Sequence, residues 1–265
     1  AQLEALKPAV ILDEWCVGLQ EWQPESVEAF ESLLSIGNGR FGQRANFEED
    51  YSGSSLRGSY LAGVYYPDKT RVGWWKNGYP EYFAKVLNST NWIGVPFTAN
   101  GEAVDLHQAQ EVRDFKWEVD MRSGILKRSF VIVTKNGVEL CIEAERFCSM
   151  DRPDTAVLRY AVRSLSGNVD IEMAPFLDGA VSNADSNWND VFWKFHEAEA
   201  QLDGKAHLHC ETEKSGFHAA FAMTCKATVV RHESASELHA SGFLKKDSMV
   251  SCQYSVTLQS NESIV

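Results

Sequence analysis

From Phe115 onward the chain alternates apolar and polar residues. Phe115, Trp117, Val119 and Met121 interleave with Lys116, Glu118 and Asp120. A period of two sends successive side chains to opposite faces of an extended strand, so this rhythm commits the segment to half-buried β-structure. It continues through residues 125–134 and 138–147, which flank Lys135-Asn136-Gly137. Asn-Gly supplies the positive-φ positions of a tight hairpin turn and makes those two strands neighbours. Ala156, Leu158, Tyr160 and Val162 alternate with Val157, Arg159, Ala161 and Arg163, and Val169, Ile171 and Met173 follow the Ser166-Gly167-Asn168 turn. Further strands are predicted over 191–198, 206–212 and 218–228, and through Val250, Cys252, Tyr254, Val256 and Leu258. Strands recurring roughly every ten residues, with no 3.6-period helices between them, predict an all-β chain built as a large antiparallel β-sandwich. The pattern excludes a parallel doubly wound fold, which needs crossover helices.

The organisation divides near Val104. Residues 26–34 place Val27, Phe30 and Leu34 on one side, a spacing that fits a short amphipathic helix or a strand. Residues 37–92 are dense in Gly, Asn and aromatics with little periodicity, which predicts long ordered N-terminal loops. Such loops are usually functional or packed against another body. With no internal repeat and no Pro/Ser linker tract, residues 1–265 are expected to form one domain, with 1–25 as a lead-in.

The net charge of −12 argues against nucleic acid as a partner, because phosphate contacts need clustered Lys and Arg. No apolar run approaches the ~20 residues of a membrane-spanning helix, so no membrane partner is expected. Residues 1–15 lack the basic start and apolar stretch of a secretory leader. The six cysteines, Cys16, Cys141, Cys148, Cys210, Cys225 and Cys252, contain no CxxC pair. A chain of 265 residues buries enough surface to dispense with disulfides, so reduced thiols and a cytoplasmic location are expected.

Residues 65–83, Tyr-Tyr-Pro-Asp-Lys-Thr-Arg-Val-Gly-Trp-Trp-Lys-Asn-Gly-Tyr-Pro-Glu-Tyr-Phe, are the most informative segment. Aromatic rings offer flat apolar faces to the CH faces of sugars, and neighbouring Asn, Lys and Glu can bond hydroxyls. Trp74, Trp75, Lys76, Asn77, Tyr79 and Tyr82 are therefore candidates for a substrate-facing or interface loop. The bland alternative is that these rings fill or cap the sandwich core, since aromatics bury large areas wherever they go. Gly37-Asn38-Gly39 predicts a tight structural turn; it lacks the GxxxxGK[ST] spacing of a phosphate loop. Asn46-Phe47-Glu48-Glu49-Asp50 is acidic but lacks the alternating ligand spacing of a calcium loop. His207 and His209 share one face of a strand, yet the sequence offers no third ligand, so no metal site is expected. Acids and bases are too numerous for a catalytic set to be chosen by counting, and no catalytic residue is assigned.

Residues 31–44, Glu-Ser-Leu-Leu-Ser-Ile-Gly-Asn-Gly-Arg-Phe-Gly-Gln-Arg, followed by Asn46-Phe47-Glu48-Glu49, resemble the N-terminal domain of glycoside hydrolase family 65. Residues 59–66 and the aromatic run to Asn88 are similar to its maltose phosphorylase branch. So are Asp105-Leu106, Asp120-Met121-Arg122-Ser123-Gly124 and Arg146-Phe147-Cys148-Ser149.

The resemblance implies a supersandwich of the galactose-mutarotase-like kind, standing ahead of an (α/α)6-barrel that carries the catalytic glutamate and the phosphate-binding residues. On that reading this chain is the non-catalytic N-terminal part of a longer enzyme, inactive by itself. The implied parent reaction is inverting phosphorolysis, maltose plus phosphate giving β-glucose 1-phosphate and glucose. Inorganic phosphate is then a co-substrate and no cofactor is needed. The implied partners are the chain's own catalytic barrel, a second copy in a homodimer, and an α-glucosyl disaccharide. Kojibiose, nigerose and trehalose phosphorylases share the architecture. A freestanding carbohydrate-binding module and a mutarotase-like epimerase are the readings from other classes.

Overall fold

The computed structural model describes residues 9–69, 80–183, 191–232 and 234–265. Short strands come first: β1 (Val10–Leu12), β2 (Cys16–Leu19), β3 (Ile36–Gly37), β4 (Phe41–Gln43), β5 (Ser59–Leu61), β6 (Tyr65–Lys69), β7 (Tyr82–Val86), β8 (Phe97–Ala99) and β9 (Glu102–Ala103). The long ones follow: β10 (Glu111–Asp120), β11 (Ile125–Val133), β12 (Glu139–Cys148) and β13 (Ala156–Ser164). Then come β14 (Val169–Met173), β15 (Phe176–Asp178), β16 (Trp193–Ala200), β17 (Lys205–Thr212) and β18 (His218–Thr224). The chain closes with β19 (Ala227–Arg231), β20 (Ser234–Leu238), β21 (Gly242–Lys246), β22 (Met249–Leu258) and β23 (Ser263–Ile264).

Two large sheets make an all-β sandwich. One runs β1-β2-β10-β11-β12-β13-β23-β19-β20; the other runs β15-β22-β14-β8-β9, with β21 also on β22. All their strand pairings are antiparallel. Trp117, Phe130, Ile132, Leu140, Ile142 and Val162 from the first sheet share a core with Phe97, Val169 and Ile171 from the second. Phe97 of β8 meets the Tyr160 ring of β13 at a centroid distance of 6.1 Å, joining the layers. Each large side chain buried this fully contributes about 1.5–3 kcal/mol, which is why the alternation is so regular here. Smaller sheets, β3-β4-β5, β16-β17-β18 and the ribbon β6-β7, flank this frame.

The β11–β12 hairpin closes at Gly137, whose φ of +78° is the conformation the Asn-Gly pair predicts. Residues 26–34 resolve in favour of helix: α1 (Val27–Leu33) follows a 3-10 turn at Pro24–Ser26 and buries Val27 and Phe30, with Leu34 buried just after it.

Three expectations need correction. Met121 continues the apolar rhythm but is exposed, because Asp120 Oδ1 accepts from the backbone N–H groups of Arg122 and Ser123 and starts a turn. Residues 218–228 form two strands rather than one. The break falls at Cys225, whose N–H donates to Gly204 O and whose carbonyl accepts from the Tyr254 hydroxyl at 3.1 Å, so β18 and β19 join different sheets. Residues 37–92 are not only loops; β3 to β7 lie there, but β3, β4 and β5, of two or three residues, are too short to display a period. All six cysteines are free thiols.

Candidate functional site

The aromatic segment begins and ends on the ribbon. Trp74, Trp75, Lys76, Asn77 and Tyr79 lie outside the described residues. Tyr82 is described: it opens β7 opposite Lys69 and is 52% exposed. Alternation sorts the ribbon into two faces. Tyr65, Ala84, Val86 and Tyr82 share the outer face and are exposed, whereas Tyr66, Asp68 and Lys85 are buried. The Lys85 Nζ lies 3.8 Å from Asp68 and 5.5 Å above the Phe192 ring. The Tyr66 ring meets Phe192 edge-on at 4.8 Å. Among the described rings of the segment, Tyr66 packs inward, whereas Tyr65, Tyr82 and Phe83 are exposed.

Asn88 fastens the base of this ribbon. Its Oδ1 accepts from Ser59 N at 2.8 Å, and its Nδ2 donates to the carbonyls of Arg57 and Ser182. Its own carbonyl accepts from the Trp193 indole at 2.8 Å, which ties the ribbon to β16. Asn183 completes the clamp, accepting from Asn88 N and donating to Val86 O. A small satellite core of Tyr66, Leu87, Phe192, Trp193, Cys210 and Ala219 fills the space beneath.

The Gly37-Asn38-Gly39 turn joins β3 to β4, with Gly39 at φ +83°. Asn38 Oδ1 accepts from Arg40 N and Phe41 N, closing the turn on itself. Its Nδ2 donates to Ser149 O at 2.7 Å and Pro153 O at 2.9 Å. The turn is therefore a structural clasp onto the loop between β12 and β13, reinforced by Arg40 Nε to Asp154 Oδ1 at 3.0 Å.

The acidic run is a structural core, not a cation loop. Glu48 and Glu49 turn inward onto Arg128 and Arg146, two arginines on the buried face of the nine-stranded sheet. Arg128 lies between the Phe47 and Phe130 rings, 4.5 and 5.0 Å from their centroids. Arg146 Nη1 reaches Glu48 Oε1 at 2.8 Å and its Nη2 donates to Arg44 O at 3.1 Å. Tyr160 donates to Glu49 Oε2 at 3.0 Å. Burial opposes ionisation of Glu48, yet the two guanidiniums outweigh it and hold its carboxyl below the usual range. Burial, with Glu49 beside it, pushes the Tyr160 phenol well up, so it stays a donor. The cluster pins residues 44–49 to the sandwich.

Between β4–β5, β13 and β18–β19 lies a groove of about 1030 Å³. Phe41, Leu61, Trp92, Leu158, Phe221 and Met223 give it an apolar wall. The buried Trp92 indole N–H has no partner among the described residues. Asp154 is the one carboxylate among the described residues lining the groove, and Arg40 occupies it. General acid–base cleavage of a glycoside by inversion needs two carboxyl groups flanking the bond. This groove offers apolar docking area and hydrogen-bond donors instead of that pair.

Fold and groove together define a large antiparallel β-sandwich with an apolar cleft on one side. A solved structure of a "Putative kojibiose phosphorylase from human microbiome" superposes with a TM-score of 0.80 over 97% of this chain and 32% of that one, at 22% identity. Maltose phosphorylase of Bacillus subtilis (strain 168) is 43% identical over 206 residues, 78% of this chain and 27% of the relative. Kojibiose phosphorylase of Thermoanaerobacter brockii is 27% identical over 69% of this chain and 22% of its own length. The model of the glycosyl hydrolase family 65 N-terminal domain matches residues 18–265, and the chain belongs to that family. It spans about a quarter of the length of the maltose and kojibiose phosphorylases it matches.

Sequence reasoning missed the Glu48–Arg128–Glu49–Arg146 cluster, although a signal was present. Arg128 and Arg146 stand at inward positions of their strands, in phase with Phe130 and Ile142, and an inward arginine demands a buried carboxylate. It also missed the neighbours of His209. The structure brings His196, Glu211 and His218 to it, while His207 stands apart beside Glu197 at 3.4 Å. A β-bulge at His196, invisible to periodicity, makes that meeting possible.

Proposed function

We propose that this chain is the non-catalytic N-terminal sandwich of an inverting disaccharide phosphorylase acting on maltose. The observation that carries the reading is the 43% identity to a maltose phosphorylase over 78% of the chain, against 27% identity to a kojibiose phosphorylase. The parent reaction protonates the glycosidic oxygen while phosphate attacks the anomeric carbon from the opposite face. Phosphate thus replaces the water that a second carboxylate activates in an inverting hydrolase. The proton donor and the phosphate site belong to a catalytic barrel beyond these residues, and no cofactor takes part.

The sandwich then serves as a rigid body against which the barrel and a second subunit assemble. The exposed ribbon face, Tyr65, Tyr82, Ala84 and Val86, and the segment holding Trp74, Trp75, Lys76, Asn77 and Tyr79 are the surfaces assigned to that packing. Reduced thiols and a phosphate-dependent reaction fit a cytoplasmic enzyme. Among the described residues no helix is long and apolar enough to cross a membrane.

Expression of the complete gene product tests the reading. Phosphate-dependent release of β-glucose 1-phosphate from maltose, exceeding that from kojibiose or trehalose, supports it. Preference for either of the other two moves the assignment to a sister phosphorylase, and phosphate-independent hydrolysis removes it.

A further inference from the structure

The outer face of the β16-β17-β18 sheet gathers histidines. His207, His209 and Glu211 alternate outward along β17 while Ala206, Leu208, Cys210 and Thr212 point inward and are buried. Glu211 stands directly opposite His218 of β18. On the other side, Phe195 pairs with Cys210 and Glu197 with His209, so His196 is the extra residue of a bulge. A bulge re-aims a side chain, and this one carries the His196 ring onto the face already occupied by His209 and Glu211. The three imidazoles lie 5.1, 5.3 and 5.9 Å apart between ring centroids.

The nitrogens of His196 and His218 converge on the carboxylate of Glu211. His196 Nε2 is 2.8 Å from Glu211 Oε2, and His218 Nε2 is 3.9 Å from Glu211 Oε1. One donor atom from each of His196, Glu211 and His218 falls within 4.8 Å of the others. A tetrahedral ion with ~2.0–2.1 Å bonds to nitrogen and oxygen holds its donors roughly 3.3 Å apart, so small side-chain rotations close this set. His209 Nε2 lies 3.1 Å from His218 Nδ1. In the tautomer that carries the hydrogen on His218 Nδ1, His209 Nε2 accepts that hydrogen bond, and His218 Nε2 is left bare for a metal. That is the outer hydrogen bond by which ligating histidines are usually oriented.

We propose that His196, His218 and Glu211 form a site for a divalent transition-metal ion of the zinc class. Two imidazoles and one carboxylate suit zinc, and the fourth position stays open to water. His209 is a positioning residue for His218. The site does not depend on the phosphorylase reading, since it is built wholly from this sheet.

The test uses tag-free protein stripped with a chelator and titrated with Zn²⁺ by calorimetry, and with Co²⁺ followed by visible absorption. Saturable one-to-one binding and an intense tetrahedral Co²⁺ band are expected. His196→Ala and His218→Ala should each weaken Zn²⁺ binding at least 10-fold, and His209→Ala by about 10–100-fold, the usual cost of losing an outer partner. His207→Ala should bind as the parent does. These side chains are at least partly exposed, so thermal melts of the metal-free variants should match the parent; Glu211→Gln provides a second ligand removal. Absence of saturable binding, or undiminished binding by the His196→Ala/His218→Ala double variant, overturns the proposal.

Discussion

Arg128 grips Glu49 with both arms, Nη1 to Oε1 at 2.5 Å and Nη2 to Oε2 at 2.6 Å, with side-chain exposures of 3% and 1%. Two charges so deeply buried persist only because each satisfies the other. Arg128 also meets Glu48, and Tyr160 fills a remaining acceptor site on Glu49. Removing one partner should therefore cost far more than a surface pair would. Glu49→Gln or Arg128→Met is expected to lower unfolding stability by about 3–5 kcal/mol in urea titrations. Arg40→Ala, which breaks an exposed pair with Asp154, should cost under about 1 kcal/mol.

Glu48 gives the fold an acid limit. Its carboxyl sits below the usual range in the folded chain, despite burial, because of Arg128 and Arg146. A depressed folded value means stabilisation that is fully present above the unfolded value of ~4.3 and lost as pH falls through the folded one. Stability should thus fall as pH drops below about 4. Glu48→Gln should be less stable at neutral pH and lose less on acidification. An identical acid slope in both proteins would remove Glu48 from the account.

Six free thiols should differ in reach. Burial pushes Cys148 up to about 11, Cys210 up to about 12 and Cys252 up to about 11, so each stays protonated at neutral pH. Titration with a thiol reagent should find these three slow in the native protein and all six reactive after non-reducing denaturation. Fewer than six in the denatured sample would reveal a disulfide that this structure does not contain.

The two faces of the ribbon should respond differently to truncation. Tyr66→Ala removes a buried ring packed on Phe192 and should cost about 3–5 kcal/mol. Tyr82→Ala removes an outward ring and should change the melt of this chain by no more than about 0.5 kcal/mol. In the complete enzyme, Tyr82→Ala should weaken assembly if that face is an interface.

Legibility in the sequence followed the length of the strands. β11 and β14 stand where alternation puts them, because five or more residues with one buried face write a period into the chain. β3 and β9 hold two residues each and write none. The Gly37-Asn38-Gly39 turn was readable from its glycines, but its attachment to Ser149 and Pro153 was not, since that bond spans more than a hundred residues. Arg128, by contrast, was written plainly at an inward position, and only its partners at 48 and 49 needed the fold. His196 was hidden because a bulge shifts the phase of its strand.

The central claim is that these residues belong to a phosphorylase without carrying its chemistry. The direct measurement is glucose 1-phosphate release from maltose and phosphate by this chain alone, beside the complete gene product at equal concentration. The account predicts turnover by the complete product and none above the buffer blank for the chain. Turnover by the chain itself, abolished by replacing a carboxylate within its 265 residues, would contradict it.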